Sequence, residues 1–249
     1  MKKTGVILFV FVLVAGVFAQ QDQNPKNKDN KDKPAVIQTK TMTPDEAAKA
    51  AVAAHGGDKF KNSKTLIVRG TADISASPTQ TVPSTFVMIF AGDKYRYEIT
   101  NPFQPFKQVY DGQQTSSSLA NFTLPPINRL GLPLLQRFDQ KGYSVSALPE
   151  TAKKKNGFRI TSPEGYYTDF FLDEKTSEVK SYESAYDFNG RTVTTSVEID
   201  KLREVDGVKV PEKYAQRFEL GFATFYADFK AKDILVNSEV ADDVFTIEK

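Results

Sequence analysis

The sequence predicts a mainly β fold: a curved antiparallel meander sheet with one short N-terminal helix and a proline-broken apolar segment over its concave face. Three observations carry this. The last third, Tyr166 to Lys249, alternates strand-like runs with turn residues and has no helical periodicity. The strand candidates differ in how many of their faces are apolar. The apolar residues between Asn121 and Arg137 do not follow strand alternation at all.

In the last third, Tyr166 to Asp173 meets a turn at residues 173–177, and Glu178 to Phe188 leads to Asn189-Gly190. Arg191 to Val205 then leads to Asp206-Gly207. Asn-Gly and Asp-Gly suit two-residue hairpin loops because both central positions need positive φ. Local antiparallel pairing follows. Phe222 to Ala231 closes the run, with Ala223, Phe225, Ala227 and Phe229 on one face. Asp242-Asp243 is expected just before a terminal strand.

At the other end, Thr43-Pro44-Asp45-Glu46 is a helix start: Thr43 caps, Pro44 fits the first turn and Glu46 completes a capping box. The helix runs through alanines to His55, and Gly56-Gly57 ends it. Lys64 to Ile74 alternates, with Leu66, Val68, Ala72 and Ile74 on one face, so one side is buried and the other wet. Thr85 to Ala91 has Phe86, Met88 and Phe90 on one face and Val87 and Ile89 on the other, which predicts a strand covered on both sides. Gly92-Asp93 turns into Tyr95-Arg96-Tyr97-Glu98-Ile99. Phe106 to Tyr110 reaches Asp111-Gly112, and Gln113 to Leu119 is a polar strand.

Asn121 to Arg137 holds Pro125, Pro126 and Pro133 among Leu124, Ile127, Leu130, Leu132, Leu134 and Leu135. This suits a proline-broken loop followed by a short helix. One sheet and one helix cannot cover both sheet faces, and an apolar lid over the concave side solves the problem. Such an arrangement encloses a ligand-sized apolar cavity.

Composition bounds the compartment and the chemistry. Met1 to Ala19 has Lys2 and Lys3, an apolar run and a small-residue end, the pattern of a secretory signal peptide cut after Ala19. Its apolar run is shorter than the ~20 residues a bilayer span needs, and no transmembrane segment is expected in the mature chain. Residues 20–41 are Gln, Asn, Asp and Lys with two prolines, a disordered polar tether. The folded domain is 42–249. The chain has no cysteine, which excludes disulfides, thiolate chemistry and the acylated cysteine of a lipoprotein anchor; a periplasmic or otherwise exported location is expected. Losing Lys2 and Lys3 with the leader leaves 31 Lys and Arg against 31 Asp and Glu. That balance does not suit nucleic acid, which needs basic patches to neutralise phosphates.

No catalytic constellation, metal site or cofactor motif is legible. His55 is the single histidine, and its place at a helix C-terminus predicts a capping or surface role. Of the acidic pairs, Asp173-Glu174 lies in a turn and Asp242-Asp243 before the terminal strand, and carboxylates in turns cap backbone amides far more often than they do acid/base chemistry. Phosphate loops, nucleophile elbows and zinc motifs are absent. Asn121-Phe122-Thr123 matches a glycosylation triplet, and Lys153-Lys154-Lys155 reads as a charged hairpin tip.

Several stretches together resemble one family. Val205-Asp206-Gly207-Val208-Lys209-Val210-Pro211 and Val236-Asn237 through Asp242-Asp243-Val244-Phe245-Thr246-Ile247 are similar to the closing segment of the LolA/LolB-like superfamily of periplasmic lipoprotein carriers. Phe171 to Thr176, Gly92 to Glu98, Tyr110 to Gln113 and the helix ending His55-Gly56-Gly57 fit the same pattern in order. The resemblance spans most of Thr43 to Lys249. It implies an incomplete antiparallel barrel plugged by helices, whose concave apolar face receives acyl chains. Without an anchor cysteine the chain looks more like the soluble carrier than the membrane-bound acceptor.

The expected function is therefore non-enzymatic: an exported carrier whose partner is lipid or an acylated lipoprotein. The alternative is an envelope sensor or protein-interaction module with a self-filled cavity. Phe86, Met88, Phe90, Tyr95, Tyr97, Leu132 and Leu135 are the expected cavity or lid residues. Arg96 is the polar candidate, for a lid carbonyl, a ligand head group or a salt bridge with Glu98. Strand phase decides the set, because a one-residue slip turns Phe86, Met88 and Phe90 outward. On this reading the last third sets the fold, and ligand specificity lies between Phe86 and Leu135.

Overall fold

Among the described residues, twelve strands join one antiparallel sheet whose order follows chain continuity. The computed structural model describes residues 42–247 apart from 78–79, 121–122, 153–155, 189 and 220–222; the expected signal peptide, tether, glycosylation triplet and lysine tip fall wholly or partly outside these. The strands are β1 Thr65–Ser77, β2 Gln80–Ala91, β3 Lys94–Thr100, β4 Phe106–Tyr110, β5 Thr115–Ser117, β6 Ser144–Ser146, β7 Gly157–Thr161, β8 Tyr167–Leu172, β9 Val179–Phe188, β10 Arg191–Val205, β11 Val208–Glu219 and β12 Thr224–Val236. Consecutive strands pair as hairpins within two runs, β1 to β5 and β6 to β12, and the runs meet where β1 pairs β12. Edges β5 and β6 do not pair with each other, so the sheet is an open, incomplete barrel.

The hairpin chemistry is where the turn residues put it. Asp206 and Gly207 have φ of 53° and 80°, the positive pair that a type I′ loop requires. The Asp173 carboxylate accepts from the Lys175 and Thr176 amides, both at 2.9 Å, which closes the β8–β9 turn. The β12 strand runs on past Ala231 to Val236, through a bulge opposite Arg69/Gly70 of β1. One expectation fails here. Asp242–Phe245 is a 3-10 turn, not the approach to a terminal strand, and it packs Phe245 against Ile67 and Ile89.

Helix α1, Pro44–Ala54, begins with a complete capping box between Thr43 and Glu46. Its small side chains Ala47, Ala48 and Ala51 are buried, and the helix lies against β6 and β7. A one-turn helix α2, Asp58–Lys61, follows and buries Phe60.

His55 is the C-cap of α1, as expected, but it does not lie at the surface. It is fully buried because it joins three elements: Nε2 accepts from the Val179 amide at 3.1 Å, and Nδ1 lies 3.0 Å from the Lys209 carbonyl. Accepting at Nε2 leaves the proton on Nδ1, so this is the neutral tautomer. Burial pulls its pKa below 6.5, against a smaller upward pull from the Lys209 carbonyl and Glu178. The His55 carbonyl in turn accepts from the Lys209 amide at 3.0 Å. Gly56 follows at φ +122°, and a Cβ there would stand 2.2 Å from the Gly207 carbonyl oxygen. The glycine that ends the helix is thus also what lets its end sit on the β10–β11 hairpin.

Candidate functional site

The β2 strand is covered on both faces, and the two coverings differ in kind. Val87 and Ile89 face Ile67, Val240, Val244 and Phe245, a small closed cluster formed by the chain's own C-terminal segment. Met88 and Phe90, on the other face, line a cavity of about 640 Å³. That size lies within the usual range of small-molecule sites, about 300–1,000 Å³.

The sheet forms one side of this cavity. Leu66 and Val68 come from β1, Tyr97 from β3, Tyr182 and Ser184 from β9, Thr195 and Val197 from β10, and Val210, Tyr214 and Phe218 from β11. The other side is the segment from Leu124 to Gln140, which includes a 3-10 turn at Ile127–Arg129 and the short helix α3, Gly131–Leu135. Proline at 125, 126 and 133 breaks this segment into short pieces, which lets it follow the curved sheet instead of running as one straight helix.

Polar side chains fasten the lid along its borders. Gln108, buried on β4, accepts from the Leu124 amide at 2.6 Å and donates to the Leu124 carbonyl at 3.0 Å and to the Tyr95 hydroxyl at 2.6 Å. It thereby imitates a strand neighbour for a segment that has none. Asn128 donates to the Asp93 carbonyl at 2.6 Å, and Arg137 pairs with the Asp93 carboxylate at 2.6 Å. On the opposite border the Gly131 amide donates to Thr168 at 3.1 Å, and Gln136 donates to the Phe60 carbonyl and Ser63 hydroxyl, both at 2.8 Å. Gly131 has φ +59°, and a Cβ there would meet the Tyr182 ring at 2.7 Å, so the lid backbone rests directly on that ring.

The expected site residues divide by location. Met88, Phe90, Tyr97 and Leu132 line the cavity. Phe86 shares their strand face but packs edge-on against Phe229 at 5.0 Å, opposite Gly70, where the missing side chain leaves room for its ring. Tyr95 is fully buried, stacked on Tyr110 and bonded to Gln108. Leu135 belongs to the lid helix but points into the core. Arg96 fills one of its three expected roles, the pairing with Glu98 at 2.5 Å, and also donates to the Val244 carbonyl at 2.6 Å. That carbonyl belongs to the C-terminal turn and not to the lid, so Arg96 secures the closed face of β3.

The cavity wall extends beyond the stretch from Phe86 to Leu135 where the site was expected: β9, β10 and β11 supply much of it. The signal was available in the alternation of Val208, Val210, Tyr214, Gln216 and Phe218, whose period of two marks one face. Among the described residues no three His, Asp or Glu side chains gather as metal ligands, and no helix is long and apolar enough to cross a membrane.

No family model matches the chain, and no curated protein matches it. Solved structures do. A DUF1329 family protein from Desulfovibrio piger superposes with a TM-score of 0.51 at 14% identity, over 82% of this chain and 98% of that one. A LolA superfamily protein from Nitrosomonas europaea gives a TM-score of 0.51 at 11% identity, over 83% and 98% of the two chains. With the open twelve-stranded sheet, the helix on it and the lid across it, this chain has a LolA/LolB-like fold.

Proposed function

We propose that the protein is an exported, non-enzymatic carrier that holds the acyl chain of a lipid or lipoprotein between the sheet and the lid. The observation that carries this reading is the cavity itself: about 640 Å³ of space walled by Leu66, Val68, Met88, Phe90, Leu132 and Val197, in a fold that a LolA superfamily protein shares. Apolar space of this size in an otherwise close-packed interior loses dispersion contacts, and a chain lying in it restores them. The same space weighs against a cavity filled by the protein's own side chains, which a pure interaction module would use.

Magnitudes set the ligand's length. Each buried methylene contributes about 0.8 kcal/mol, and association costs an estimated 4–15 kcal/mol in lost freedom. Chains of roughly a dozen carbons or more are needed before binding becomes useful, so affinity rises with chain length until the cavity is full.

The test is to purify the protein from the organism that makes it and analyse its organic extract by mass spectrometry, with uptake of an apolar fluorescent probe in parallel. Co-purified lipid and saturable uptake are expected, and Phe90→Asp, which places a charge on the cavity wall, removes the uptake while the protein remains folded. An extract without lipid, together with no probe uptake, sinks the carrier reading.

A further inference from the structure

A cavity meant only for hydrocarbon has no use for hydroxyl groups, yet three tyrosines from three strands line this one: Tyr97, Tyr182 and Tyr214. Tyr97 is 4% exposed, and its hydroxyl has no hydrogen-bond partner among the described residues. An orphaned buried hydroxyl costs stability that phenylalanine would not cost at the same place. The other two rings are held in position. Tyr214 lies flat on Phe229, with centroids 4.7 Å apart and planes 11° from parallel. Tyr182 is trapped between Phe170, 6.0 Å away, and the backbone of Gly131.

We propose that the cavity is built for an apolar chain that carries a hydrogen-bond-accepting oxygen group, a carboxyl or an ester, and that Tyr97, Tyr182 and Tyr214 hold this group. The inference rests on the carrier reading above and adds to it the chemical class of the ligand. Burial pushes all three phenols up, so they remain protonated and able to donate. All three line the same cavity, from β3, β9 and β11. A cationic group finds no free carboxylate. Among the described lining residues the single carboxylate is Asp93, and Arg137 occupies it. An oxygen acceptor supplies the partner that the Tyr97 hydroxyl lacks, and a neutral ester or a carboxylate both qualify.

The experiment is displacement of an apolar dye from the full mature chain by palmitic acid, methyl palmitate and hexadecane, in the parent protein and in Tyr97→Phe, Tyr182→Phe and Tyr214→Phe. In the parent, the acid or the ester displaces the dye at lower concentration than hexadecane. Each substitution weakens that ligand by about three- to ten-fold, the range for one hydrogen bond, and leaves hexadecane unchanged. Preference for the acid identifies a free carboxyl as the group held, and preference for the ester identifies an acyl ester. A second readout guards against a merely structural effect: without ligand, Tyr97→Phe melts at the same temperature as the parent or higher, because it removes an unpartnered hydroxyl. Equal displacement by all three compounds, insensitive to the substitutions, overturns the proposal while leaving the carrier reading intact. A lowered melting temperature for ligand-free Tyr97→Phe overturns it too, since the hydroxyl would then have a partner inside the protein. A parent that takes up no dye at all refutes the carrier reading beneath it.

Discussion

Two segments outside the sheet are attached to it in opposite ways. The end of α1 is locked on through buried backbone contacts: both His55 ring nitrogens and its carbonyl are engaged by Val179 and Lys209, and Gly56 touches Gly207 directly. The lid from Leu124 to Gln140 is held by side chains at its borders, Gln108, Asn128, Gln136 and Arg137 among them, with empty space beneath its middle. Removing a contact of the first kind leaves backbone groups buried without partners; removing one at the exposed rim of the lid, such as Arg137 with Asp93, lets water replace it, and the buried Gln108 is the lid contact that comes nearest to the first kind. The corner of α1 is therefore expected to stay closed more firmly than the lid, whose borders side chains hold.

The largest expected effect is at the corner. Gly56→Val must escape both its positive φ and the 2.2 Å approach of its Cβ to the Gly207 carbonyl oxygen, at a cost of about 3–4 kcal/mol; urea denaturation reads this as a lowered midpoint at unchanged slope. His55→Leu fills the space but leaves the Val179 amide and the Lys209 carbonyl buried and unmatched, a loss of about 2–4 kcal/mol.

His55 also gives the corner a pH signature. Its folded pKa lies below the ordinary 6.5, so the unfolded chain binds the proton more readily than the folded one. Stability is full above about pH 6.5 and falls as the pH drops below it. His55→Gln removes this slope between pH 6.5 and 5 in denaturation curves. The acid loss that remains belongs to carboxylates such as Glu212, which Arg203 and Lys201 hold down to about 2 and which titrate at lower pH.

Lid substitutions should act on kinetics more than on stability. Gln108→Leu cuts the pairing with Leu124 and costs about 1–3 kcal/mol because it strands two backbone groups. Arg137→Ala breaks an ion pair whose aspartate is exposed and costs about 0.5–1 kcal/mol, while speeding dye release in stopped-flow measurements. At the bottom of the scale, Asp242→Ala removes a surface pair with Lys94 and leaves the denaturation midpoint essentially where it was. If Gln108→Leu and Arg137→Ala leave dye release unchanged, the contrast between corner and lid fails.

The same contrast explains what was legible in the sequence. Strand order, the Asp206-Gly207 hairpin and the capping box of α1 depend on local residue chemistry, and local chemistry can be read directly. The two-sided character of β2 was legible too, because both parities of Phe86 to Phe90 are apolar. His55 was misread because nothing near it in sequence announces Val179 or Lys209, which reach it only after the sheet has closed up. Phe86 and Met88 share a strand face, yet only Met88 reaches the cavity, since Phe86 fills the gap over Gly70 sixteen residues away. The wall contributed by β9 to β11 is less legible, because the alternation of Val208, Val210, Tyr214 and Phe218 marks an apolar face without saying which cavity it borders.

The chain contains no tryptophan, which gives a direct measurement of whether the space under the lid receives an apolar chain. One tryptophan placed as Leu132→Trp lines the cavity; one placed as Phe103→Trp stands on a loop at a position 76% exposed. Titration with a bromine-labelled fatty acid should quench the first strongly and saturably and leave the second unaffected. Equal quenching of both, or of neither, would contradict a carrier whose cargo lies between sheet and lid.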